Sequence, residues 1–99
     1  MSFILKYSSK AEAEYFKAFD YYEDQLDGLG DRFEQAVANK VGQIVKNPYQ
    51  YQGKRSNYRE CWVKEFPFLI VYKVLAVNRV ILITSIFHTS RNPKRKYRK

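Results

Sequence analysis

The sequence predicts an α+β domain of order β-α-α-β-β-β, a small, largely antiparallel sheet packed against a helical hairpin. Three observations predict it. After one short β-rich run, apolar residues recur every three or four positions through two successive stretches. Asn47-Pro48 then closes the helical half. Beyond it lie three runs rich in Val, Ile, Leu, Phe and Tyr, separated by short breaks. A chain of 99 residues with 45% apolar and 17% aromatic content can fill one small core, so a single domain over 1–99 is expected and disorder is not.

The elements follow in order. Phe3 to Tyr7 is β-rich and stops at a Ser-Ser pair, and Ser9 followed by Glu12 has the spacing of a capping box. In the first helix Tyr15, Ala18, Phe19, Tyr22 and Leu26 form the buried stripe, which leaves Lys10, Glu14, Lys17 and Asp24 on the wet side. Gly28 and Gly30 punctuate, and Leu29, Phe33, Val37, Val41, Ile44 and Val45 carry the second helix. Tyr49 to Asn57 has no apolar period and reads as a loop. Tyr58 to Glu65 roughly alternates, Phe66-Pro67 breaks the run, Phe68 to Leu75 is almost unbroken apolar chain, and Val80 to Phe87 follows a short turn. These three strands form a meander whose middle member is covered on much of both faces. His88 to Lys99 is either a solvated basic extension or a short helix started by Pro93.

Charge is unevenly placed. The net charge of +8 comes from 18 basic and 10 acidic residues. Ser9–Asn47 holds five basic and eight acidic residues, net −3; Pro48–Lys99 holds twelve and two, net +10; Lys6 completes the sum. Arg91, Lys94, Arg95, Lys96, Arg98 and Lys99 crowd the end of the chain without an acid among them, which attracts polyanions.

Few residues are suited to chemistry. One Cys and one His fall short of any metal-binding spacing, and no cofactor motif or glycine-rich phosphate loop is present. Cys61 lies mid-strand beside Trp62 and Val63 and reads as a buried structural thiol; a single Cys also suits a reducing cytoplasm. The N-terminus lacks the pattern of a signal peptide, and no apolar run is long enough to span a bilayer. The acids read as solvated helix faces rather than a catalytic pair. His88 titrates in the useful range and stands where the last strand meets the basic segment, as a structural histidine or a general acid or base. Arg59, Lys64, Lys73 and Arg79 are edge-protecting charges or, with Arg55 and Arg91, one basic surface. Tyr51, Tyr58 and Tyr97 would let such a surface stack bases.

From Phe66-Pro67-Phe68 through Tyr72 to His88-Thr-Ser-Arg91-Asn92-Pro93 the chain resembles the RelE/ParE toxin superfamily of bacterial type II toxin-antitoxin systems. The resemblance implies a toxin neutralised by a cognate antitoxin, with roles in plasmid stabilization and growth inhibition. RelE-type members cut messenger RNA on the ribosome with lysines on the second strand, an arginine on the third, and an arginine and a tyrosine near the end. Glu60 and Trp62 stand at the lysine positions, Leu69 at the third-strand arginine and Thr89 at the later arginine. Only Arg91 and Tyr97 remain of that set, with His88 as a substitute base. The chain is more similar to the ParE-like branch, which implies a DNA gyrase inhibitor that is not a hydrolase, contacting its target through Arg55, Arg59, Arg91, Lys94, Arg95 and Tyr97. On that reading residues 92–99 are needed for toxicity and not for folding. A third reading is a nucleic-acid-binding module with the same fold and no toxicity.

Overall fold

A computed structural model describes residues 3–97, with only the backbone of Arg55. Strand β1 (Ile4–Tyr7) leads into helix α1 (Ser9–Gln25), then α2 (Leu29–Lys46), β2 (Arg59–Trp62), β3 (Phe68–Leu75) and β4 (Val80–His88). The predicted element order holds. Strand order in the sheet is β1-β4-β3-β2. β2, β3 and β4 form the antiparallel meander, while β1 pairs parallel to β4, from Ile4 opposite Val80 to Tyr7 opposite Ile83.

Ser8, not Ser9, caps α1: its Oγ accepts the Ala11 amide at 3.0 Å and donates to the Thr84 carbonyl at 3.1 Å. This one-residue shift leaves Glu12 outside the capping-box position, and the cap ties the helix start to β4 instead. The start of α2 has no side-chain cap of its own, because Gly28 occupies the N-cap in the left-handed region (φ +89°). Glu23 of α1 supplies the acceptor, taking the Gly28 and Gly30 amides at 3.0 and 2.9 Å. A carboxylate at a helix N-terminus is doubly favoured, by hydrogen bonding and by the dipole. Leu26, expected in the buried stripe, is 61% exposed because α1 has already ended and the chain is extended there.

Both helices cover one face of the sheet. Phe33 is fully buried and meets the rings of Tyr15, Tyr22, Phe66 and Phe68 at 5.2–5.8 Å between centroids. Ile44, Ile70, Ile81 and Ile83 complete this core at about 1.5–3 kcal/mol each. Tyr72 is buried with its hydroxyl donating to the Pro48 carbonyl at 2.6 Å, so the loop after α2 is pinned to the sheet. Cys61 is buried as expected, and burial pushes its thiol pKa up, which keeps it unreactive. The second strand is shorter than predicted: it stops at Trp62, and Glu65 takes a left-handed conformation (φ +73°) in the loop before Phe66-Pro67.

Candidate functional site

β3 alternates its faces. Phe68, Ile70 and Tyr72 join the core beneath the helices, while Leu69 and Val71 join a second cluster with Tyr58, Phe87 and Tyr97 on the opposite side. Two surfaces result: a cleft where α1 meets the end of β4, and the sheet's far face.

The cleft has a volume of about 390 Å³ and a wall made by Ala18, Tyr21, Tyr22, Phe68 and Ile86. His88 ends β4 with its ring edge-on to Phe68, centroids 4.9 Å apart. The Ser90 amide donates to His88 Nδ1 at 3.1 Å. An amide only donates, so Nδ1 is the acceptor and the neutral ring carries its hydrogen on Nε2. Arg91 lies at the rim, 3.3 Å from Glu14.

Glu14 departs from its predicted place on the wet side. Its side chain is only 13% exposed and accepts the Ser85 hydroxyl at 2.7 Å and the Ile86 amide at 3.0 Å. Both partners stand just after a register shift between Val71 and Tyr72, which leaves Thr84 without a residue opposite.

On the far face the C-terminal segment folds back. Pro93–Arg95 form a short 3-10 turn, capped by Asn92 Oδ1 accepting the Lys94 amide at 3.0 Å. The Tyr97 ring stacks on Tyr58 at 4.6 Å, and the Tyr58 hydroxyl donates to the Tyr97 carbonyl at 3.1 Å. The Tyr97 hydroxyl donates to the Glu60 carboxylate, and Lys96 Nζ lies 2.9 Å from the same group. Lys10 adds a bond to the Arg95 carbonyl at 2.7 Å. Of the two expected forms the short helix started by Pro93 is present, as a single 3-10 turn, and as far as Tyr97 the segment is a strap packed on the sheet, not a solvated extension. A groove of about 760 Å³ runs beside it, lined by Lys73, Lys94 and Lys96; Lys73 Nζ sits 4.4 Å above the Tyr58 ring.

Glu60 anchors this strap. Burial alone would raise its pKa, but the Tyr97 hydroxyl and the Lys96 ammonium more than offset it, and the net shift is downward. A depressed carboxylate contributes stability that is complete above its unfolded pKa and is lost as pH falls through the folded value. Strap residues 96–97 are therefore expected to detach on acidification below the ordinary carboxylate range, read as a change in the Tyr97 ring resonances. Glu60→Gln should abolish that titration; a titration identical in the variant would rule Glu60 out as the anchor.

The predicted site residues do not share one surface. His88 and Arg91 meet in the cleft, whereas Lys94 and Tyr97 belong to the far face. Arg95 is exposed at the turn. Arg59 donates to the Tyr51 carbonyl at 2.6 Å and lies over the Tyr49 ring, so it braces the loop. The Arg55 side chain, and Arg98 and Lys99, lie outside the described residues. Nor do the tyrosines form an open stacking platform: Tyr58 is buried under Tyr97, and Tyr51 bonds Gln43 at 2.8 Å. Sequence reasoning missed Glu14, Glu60 and Lys96 as partners. One signal for Glu60 was present: it is one of just two acids after Pro48. Among the described residues no three His, Cys, Asp or Glu side chains gather as a metal site would require, and no helix is long and apolar enough to cross a membrane.

Residues 5–93 match the model of a family described as the ParE toxin of type II toxin-antitoxin system, parDE. No curated protein matches the chain in sequence. Among solved structures, the fold is similar to one from the chromosomal ParDE TA system of P. aeruginosa (TM-score 0.73, 21% identity, covering 87% of this chain and 95% of that one). It is similar too to a chain of the intact E. coli RelBE toxin-antitoxin complex (TM-score 0.69, 16% identity, 90% and 99% covered). The isolated E. coli RelE toxin shares the fold as well (TM-score 0.68, 14% identity, 95% and 92% covered).

Proposed function

The chain belongs to the ParE toxin family of type II toxin-antitoxin systems, and on that premise we propose that it binds DNA gyrase as an inhibitor, not a hydrolase, in the cytoplasm. The observation that carries this is the separation of the candidate ribonuclease residues. Cleaving a phosphodiester by attack of the ribose 2′-hydroxyl needs a base, an acid and cations around one phosphate. His88 and Arg91 line the cleft beside α1, while Tyr97 is stacked on the other side of the sheet. Glu60 further ties up the Tyr97 hydroxyl and the Lys96 ammonium, and puts a carboxylate where a substrate phosphate would be repelled. A surface that works by binding needs no such convergence.

The partner that silences it is a cognate antitoxin, acidic where it meets the Lys73 and Lys94 side and apolar where it covers exposed rings such as Phe16 and Trp62. The solved ParDE and RelBE assemblies support this through their shared fold.

The test uses the chain expressed without its antitoxin. Broken DNA covalently held by gyrase, with messages intact, is the expected result. Messages cut within codons by the wild type and left whole by His88→Ala would replace this reading with a RelE-type ribonuclease acting with His88 and Arg91 on ribosome-bound messenger RNA. Neither effect, together with salt-sensitive binding to DNA, would leave a non-toxic nucleic-acid-binding module.

A further inference from the structure

The acidic balance of the helical half conceals a segregated face. After Glu34 no carboxylate occurs before Glu60, and the last three turns of α2 hold Lys40 and Lys46. Arg32, Gln35, Asn39, Lys40 and Gln43 recur at the helical spacing of three and four residues, so they form one stripe about 16 Å long. Lys64, from the loop after β2, faces them across a groove of about 500 Å³. Lys46 continues the stripe by the same spacing.

This groove lies apart from both surfaces described above, and it shares no lining residue with them. Two lysines and one arginine supply its charged donors, the side-chain amides of Gln35 and Asn39 can add N–H donors, and the Gln43 carbonyl is taken by the Tyr51 hydroxyl. Glu65 is the one carboxylate on its lining. The ion pairs of the described residues, Arg91 with Glu14 and Lys96 with Glu60, use none of its cations. Arg, Lys, Gln and Asn are the side chains that hydrogen-bond phosphate oxygens and fix a protein's position on nucleic acid without reading sequence. No aromatic ring lines the groove, so it lacks the platform on which unpaired bases stack.

We propose that the α2 stripe and Lys64 form a second contact surface that binds the phosphate backbone of duplex DNA without sequence preference. The inference goes beyond the gyrase reading. It is measured on the isolated chain with DNA alone, so it stands or falls whether or not the chain is toxic. A toxin that holds gyrase on cleaved DNA would gain by touching both members of that complex.

Lysine acetylation footprinting with a 20-bp duplex of mixed sequence tests it on the unaltered protein. Lys40, Lys46 and Lys64 should be protected; protection confined to Lys94 and Lys96 would overturn the proposal. In a salt titration Arg32→Gln, Lys40→Gln and Lys64→Gln together should flatten the slope of log affinity against log salt by about 2.7, three phosphate contacts at about 0.9 each. An unchanged slope overturns it. Should that variant fail to fold, Glu65→Gln provides the opposite sign: removing the groove's carboxylate should tighten binding severalfold, and equal or weaker binding counts against the site. If single-stranded DNA of equal length protects Lys40 and Lys64 as well as the duplex does, the assignment to duplex is wrong.

Discussion

Lys94→Gln with Arg95→Gln is expected to restore colony formation to cells that produce the chain alone, with no change in melting temperature. Both side chains are exposed, and neither takes part in the ion pairs of the described residues. What the turn needs from these two positions is backbone: the Lys94 amide reaches Asn92, and the Arg95 carbonyl receives Lys10. The double change therefore removes two charges from the surface offered to a target and spares the packing. Loss of rim charge acts mainly on the rate of encounter, so the effect should be larger at low salt. Growth arrest that persists in the variant would move the target contact away from the basic segment. Deleting residues 92–99 asks a different question, because it also strips Tyr97 from the buried Tyr58 and uncovers the cluster with Val71 and Phe87. A deletion that fails to arrest growth could reflect lost stability, and only the point variants separate the two.

Glu14→Ala should lower the unfolding free energy by about 2–4 kcal/mol: two donors are stranded at about 1–3 kcal/mol each, less what water entering the cleft restores. Ser85 is fully buried, and its hydroxyl and the Ile86 amide share the one Glu14 oxygen. For a domain of this size each kcal/mol displaces the melting temperature by about 4–8 °C. Glu14→Gln keeps an oxygen for both donors and loses only the half-exposed Arg91 partner, so its cost should stay below about 1 kcal/mol. Two variants that melt alike would show that Glu14 contributes charge and not hydrogen bonds.

How far the sequence reveals these features follows from the range over which each acts. Helical period, the Asn47-Pro48 stop and the Phe66-Pro67 break are local, and the elements they predict are present in the right order. The α1 cap shifted by a residue because its hydroxyl answers to Thr84, which is remote along the chain. Glu14 reads as solvated for the same reason: its partners Ser85 and Ile86 are remote along the chain, beside a bulge in β4 that nothing in Thr84-Ser85-Ile86 announces. The separation of Arg91 from Tyr97 is invisible for a further reason. Six residues apart in sequence, they straddle a turn that carries the chain from one side of the sheet to the other. The family resemblance supplied the expectation of a toxin; which face each terminal residue occupies required coordinates.

The parallel pairing of β1 with β4 also sets a schedule for synthesis. Ser8 must wait for Thr84, 76 residues later, before their bond can form. At bacterial elongation rates of about 5–20 residues per second, that delay is roughly 4–15 s. The helical hairpin is made before the strand that joins β1 to the rest of the sheet, and His88, Lys94 and Tyr97 come later still. The cleft beside α1 and the groove beside the strap therefore both wait for the second half of the chain, since each takes part of its lining from residues after β2.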